Sequence, residues 1–164
     1  MAEAVELGWI GKTRRAIGAR LANLHDGLGV DAVETGLECR DTITIKPRQG
    51  LTTPDGDCVC RAQFVVAPYI DICTDASRLT TAYDILDRLI GPCGEESIAG
   101  RLGDIYGQRW RGVKLEWEGE TLGVVERVDP AVGYGLARFN EDGPATTVTA
   151  QIVVTVRTSC CGGG

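Results

Sequence analysis

The 164 residues contain one histidine, His25. That scarcity excludes most Ser–His and Cys–His catalytic arrangements unless His25 itself serves. The sequence also lacks a Gly-x4-Gly-Lys-Ser/Thr loop for cradling phosphates. Gly133-Tyr134-Gly135 is not followed by the rest of a dinucleotide fingerprint. Carboxylates are plentiful, but none forms a pair that sequence alone places across a cleft. No apolar run approaches the ~20 residues needed to span a bilayer. Met1 to Leu7 carries Glu3 and Glu6 and no apolar h-region, which is unlike a signal peptide. The expectation is a soluble protein folded in a cytoplasm, without catalytic residues, cofactor, metal or membrane contact.

Cysteine is abundant, yet the spacing that would give it chemistry is missing. The seven are Cys39, Cys58, Cys60, Cys73, Cys93, Cys160 and Cys161. Zinc sites use Cys-x2–4-Cys pairs so that two thiolates reach one tetrahedral ion. The close pairs here, Cys58-Val59-Cys60 and Cys160-Cys161, do not have it. An odd count without a secretory signal argues against a disulfide framework. Most of these thiols read as small apolar groups. Cys160 and Cys161 belong to a tail, residues 158–164, that ends in three glycines and reads as disordered and prone to oxidation.

What is present is ordinary for a single folded domain, here residues 1–157. Apolar residues make up 43% and charged ones 24%, which matches globular composition. The length suffices for a real core. The net charge of −6 is opposite to that of a protein gripping phosphates, so tight DNA binding is not expected. The 22 scattered glycines imply many turns.

Periodicity predicts a helix from about Gly11 to His25, with Ile10, Ile17, Leu21, Leu24 and Leu28 on one face. Gly27 and Gly29 would end it. Lys12, Arg14, Arg15 and Arg20 fall largely elsewhere. Arg14, Arg15 and Arg20 are the candidate partner-contact residues, against the plainer reading of a solvated helix surface. Asp31 to Asp41 is acidic and poorly patterned. Thr42 to Pro47 alternates like a half-buried strand. Lys46 to Asp57 reads as a loop or the tip of a long hairpin. A strand follows from about Cys58 to Ile72, with Pro68 expected to end or bend its ladder. Thr74 or Asp75 caps the next helix, which runs to Ile90 with Leu79, Ala82, Ile85, Leu86 and Leu89 as its apolar stripe. Gly91-Pro92 stops it. Glu95 to Ile105 reads as a short helix. Val113, Leu115 and Trp117 alternate with charged residues, Gly119 permits a turn, and Leu122 to Val128 returns. Asp129 to Pro144 reads as a long glycine-containing loop. Thr147 to Arg157 is the clearest strand, apolar on one face and mostly polar on the other. Strands grouped apart from helices predict an α+β fold, an antiparallel-rich sheet with helices packed on one face. Trp9, Trp110 and Trp117 are too scattered for a base-stacking platform and suit anchoring roles.

This order resembles that of tail terminator proteins of long-tailed, non-contractile (siphovirus-type) bacteriophages. The likeness rests on the N-terminal helix, the Thr42 to Pro47 strand and the longer Cys58 to Ile72 strand. It continues through the helix Asp75-Ala76-Ser77-Arg78-Leu79-Thr80-Thr81-Ala82-Tyr83-Asp84-Ile85-Leu86-Asp87-Arg88-Leu89 and the segment Glu96-Ser97-Ile98-Ala99-Gly100-Arg101-Leu102. It closes on the Thr147 to Val156 strand. It covers residues 10 to 157 as a pattern, because the family has no diagnostic motif. Asp129 to Pro144 is longer than the pattern expects, and the cysteine-rich end departs from it. The resemblance implies a homo-hexameric ring in the virion neck, assembled in the host cytoplasm. The ring would cap the tail tube, stop its polymerisation and face the head–tail connector or stopper. DNA would pass through its lumen without tight binding. Lys46 to Asp57 and Asp129 to Pro144 would reach neighbouring subunits. The alternatives are a head–tail stopper, a tube subunit or a small ligand- or metal-binding domain. An enzyme would have His25 and Asp26 as its raw material.

Overall fold

Two long strands carry the architecture, and their alternation explains why. In β8 (Thr147–Ser159), Val148, Ala150, Ile152, Val154 and Val156 are all buried. In β4 (Val59–Asp71), Ala62, Phe64, Val66 and Ile70 are buried in step with them. The two run antiparallel in a single register, from Val59 opposite Ser159 to Asp71 opposite Thr147. A strand's side chains alternate between faces, so this register puts every one of those apolar groups on the same side of the sheet.

The computed structural model describes residues 8–25, 28–31, 41–48, 53–55, 59–72, 79–91, 96–103, 112–129, 132–137 and 147–159. In chain order the elements are α1 (Trp9–Leu21), β1 (Gly29–Asp31), β2 (Thr42–Pro47), β3 (Thr53–Asp55) and β4. Then come α2 (Leu79–Ile90), α3 (Ile98–Arg101), β5 (Lys114–Trp117), β6 (Glu120–Val128), β7 (Val132–Ala137) and β8. The sheet order is β1-β2-β4-β8-β6-β5, with β3 also on β4 and β7 also on β8. Among the described residues, only the β1–β2 pair is parallel. The fold is the expected α+β domain with an antiparallel-rich sheet.

The helices cover one face. α2 lies on β4 and β8, and α1 lies on β5, β2, β1 and β6. Ala82, Leu86 and Leu89 of α2 and Ala16, Ile17 and Leu21 of α1 join the strand residues in one core. Burying each large apolar side chain contributes about 1.5–3 kcal/mol.

Several sequence expectations need correction. α1 ends at Leu21, not near His25, and Asn23 turns the chain with φ 59°. Leu24 and Leu28 are still buried, so the apolar spacing persisted beyond the helix that it suggested. α3 is confined to Ile98–Arg101, capped by Ser97 Oγ accepting from the Gly100 N–H at 2.9 Å. Pro68 does not end β4, although the β8 pairing is interrupted at Ala67 and Pro68. Its register with β2 continues at Ile43, and on the β8 side pairing passes from Val66–Ile152 to Tyr69–Thr149 without a shift. The N–H that proline lacks belongs on the β8 side, and there the Thr149 hydroxyl donates to the Pro68 carbonyl at 2.6 Å.

Within the stretch expected to be loop, β7 pairs with β8 over Val132–Ala137. The run Val-Gly-Tyr-Gly-Leu-Ala shows no clean alternation, and a register irregularity between Val132 and Gly135 (φ 129°) absorbs its glycines. β1 starts at Gly29, expected only to end the first helix, and reaches Asp31, and β3 extends the β4 hairpin inside the Lys46–Asp57 stretch. β8 continues past Arg157 to Ser159. The expectations for Thr74, Asp75, Asp26, Ile105 and residues 138–146 lie outside the described residues. So do those for Trp110 and residues 160–164.

Candidate interaction surface

His25 lies beyond the end of α1 and lines a cleft of about 410 Å3 with Asn23, Leu24, Arg88, Leu89 and Glu96. Glu96 is paired with Arg101 at 3.0 Å. Among the described lining residues there is no Ser, Thr, Cys or Lys beside the imidazole, so these residues alone do not assemble an acyl-transfer site. Among the described residues, no group of three or more His, Cys, Asp or Glu side chains is placed to hold a metal. Cys39, Cys58, Cys73, Cys93, Cys160 and Cys161 lie outside the described residues, and Cys60 is placed in β4 opposite Thr158. No helix among the described residues is long and apolar enough to cross a membrane.

The three arginines singled out in the sequence are not brought together. At 3.6 residues per turn, Arg14, Arg15 and Arg20 are spaced about 100–140° apart around α1. Arg14 shares the side of Ile17 and Leu21, and its Nε donates to the Ile45 carbonyl at 3.0 Å. It ties the helix to β2. Arg15 is half-buried and Arg20 exposed.

The structure instead gathers cations on the face of the sheet opposite the helices. Three successive cross-strand rows hold them. The first aligns Arg61, Arg157, Val124 and Lys114. The second contains Gln63, Thr155 and Arg127, with the Arg48 guanidinium donating to Gln63 Oε1 at 3.0 Å. The third contains Lys46, Val65 and Val153, where Asp129 N–H donates to the Val153 carbonyl at 2.9 Å. Two carboxylates sit among them. Arg61 Nε donates to Glu126 at 2.7 Å, and Arg127 Nε donates to Asp129 at 2.5 Å. Lys46, Arg48, Lys114 and Arg127 are exposed. Further along the same face, the rows of Thr44, Tyr69, Thr149 and Gln151 contain no described cation.

These cations come from five separate places in the chain, so no local charge run announces them. The alternation of β2, β4, β5 and β8 already put Lys46, Arg61, Lys114 and Arg157 on the polar side of their strands. Only the strand order and register could show that those polar sides are neighbours.

The β5–β6 hairpin carries the opposite charge at its tip. Glu118 (φ 50°) and Gly119 (φ 81°) make its two-residue turn, a backbone shape suited to a tight hairpin. Glu116, Glu118 and Glu120 are all exposed there. The tip is fastened to α1 by two bonds: Trp9 Nε1 donates to the Leu122 carbonyl and Lys12 Nζ to Glu120, each at 2.7 Å. No protein-family model matches the chain, and no curated protein is significantly similar to it.

Proposed function

We propose that this protein is a structural subunit of a phage virion, a tail terminator that assembles as a hexameric ring. The ring caps the tail tube, halts its polymerisation and presents a surface to the head–tail connector, with DNA passing through its lumen. The observation that carries this reading is the order of elements. An N-terminal helix precedes the β2–β4 antiparallel pair, an amphipathic helix and a short helix follow, and a long strand closes the sheet beside β4. That order resembles the tail terminator pattern. The role requires no catalysis and no cofactor.

The test is the native mass of the particle, by light scattering and negative-stain imaging in reducing buffer, with and without tail tubes. Hexameric rings, alone or seated on tube ends, support the reading. A strict monomer that never joins tubes overturns it.

A further inference from the structure

The chain is acidic overall, with 17 Lys and Arg against 23 Asp and Glu. Among the described residues, the three rows on the open sheet face reverse that balance, with six cations beside Glu126 and Asp129. The hairpin tip concentrates the opposite sign in Glu116, Glu118 and Glu120. One molecule therefore presents two exposed, oppositely charged surfaces.

Lys114 of the first row lies on β5 itself, but the β2 edge of the basic rows is remote from the tip within one chain. Lys46 and Arg48 lie at the end of β2, and the tip belongs to β5 and β6. The order β2-β4-β8-β6-β5 separates β2 from β5 by four strand spacings. At about 4.8 Å each that is roughly 19 Å across a hydrogen-bonded sheet. The tip is also held in place by Trp9 and Lys12, so little ordering remains to be lost when it docks.

We propose that the acidic β5–β6 tip of one copy docks on the basic rows of the open sheet face of a second copy. Glu116 and Glu118 meet the Lys46, Arg48 and Arg127 region, while Glu120 stays with Lys12 of its own chain. The contact joins two different surfaces, so it propagates head to tail and closes where the rotation allows. Charges on the rim of such a contact set its association rate and its salt dependence. The inference shares with the terminator reading only the requirement that copies of the chain meet.

The experiment measures association of the full-length chain by sedimentation velocity across a concentration series. It starts at about 10 mM salt, where charges are felt over about 30 Å, and is repeated at about 1 M, where that reach falls to about 3 Å. Two variants are compared, the tip reversal E116K/E118K and the face reversal K46E/R48E, each checked for native circular dichroism. Each alone is expected to associate about tenfold or more weakly than the wild type at low salt. In E116K/E118K the tip turns basic like the face it should meet, and in K46E/R48E the face is neutralised overall and turned acidic at its β2 edge, so a one-to-one mixture is expected to restore association. Variants that associate like the wild type overturn the docking, as does a mixture that restores nothing. Wild-type chains that stay monomeric, but retain a short duplex DNA that K46E/R48E chains release, also overturn it and assign the rows to nucleic acid. A ring of unchanged mass in every variant sinks the docking and spares the ring. Wild-type chains that pass the mixing test but never join tail tubes do the reverse.

Discussion

The two faces of the β4–β8 pair make opposite uses of the same backbone. On the helix side, Phe64, Val66, Val154 and Val156 are fully buried. On the other side the aligned positions are Arg61, Gln63, Thr155 and Arg157. Adjacent residues thus differ in everything except their backbone pairing. One face stabilises by removing apolar area from water, a non-directional effect that scales with area. The other keeps Arg61, Gln63 and Arg157 partly exposed, with Thr155 buried between them. Stability and recognition are separated by one residue of register.

The comparison is broken most severely at its apolar side. Phe64→Ala is expected to cost about 3–5 kcal/mol in chemical denaturation, because a buried ring leaves a cavity. Gln151→Ala, exposed on the other face, should stay within about 0.5 kcal/mol. Similar costs for the two would mean that both faces are buried.

Gly112 tests how tightly the β5 end meets β6. A Cβ there would fall 2.0 Å from the Val125 carbonyl oxygen, a backbone atom that cannot swing aside. Gly112→Ala should lose about 1–3 kcal/mol or more by thermal unfolding. A variant that melts like the wild type would disprove that close approach.

Two threonines of β8 sharpen the polar side. The Thr149 hydroxyl donates to the Pro68 carbonyl, whereas Thr147 Oγ1 is buried and has no hydrogen-bond partner among the described residues. Removing a satisfied hydroxyl should cost about 1 kcal/mol, and removing an unsatisfied one should be neutral or stabilising. Thr149→Val should therefore lower the urea midpoint, while Thr147→Val should leave it unchanged or raise it.

The smallest effect is expected at the exposed Lys12–Glu120 bridge. A double-mutant cycle should give a coupling of about 0.2–1 kcal/mol that fades with salt. A coupling of several kcal/mol would show that the tip depends on that bond far more than an exposed pair allows.

Much of the helix-covered side was legible in the sequence. Val148 to Val156 and Leu79 to Leu89 carry unbroken periods of two and of 3.6, and both became the elements they suggested. Leu24 and Leu28 misled because helical spacing is also produced by a turn that folds back onto the core. β7 was illegible because its glycines carry no side-chain pattern. It pairs because β8 is long enough to offer it an edge.

The candidate surface was less legible. Arg14, Arg15 and Arg20 are close in sequence but diverge around α1, while the grouped cations are scattered from Lys46 to Arg157 and converge on one face. The sequence alone determined which side of each strand is apolar, since alternation is a local property of the chain. Only the tertiary structure decided which polar sides are neighbours, because strand order and register depend on pairings between residues as distant as Arg61 and Arg157.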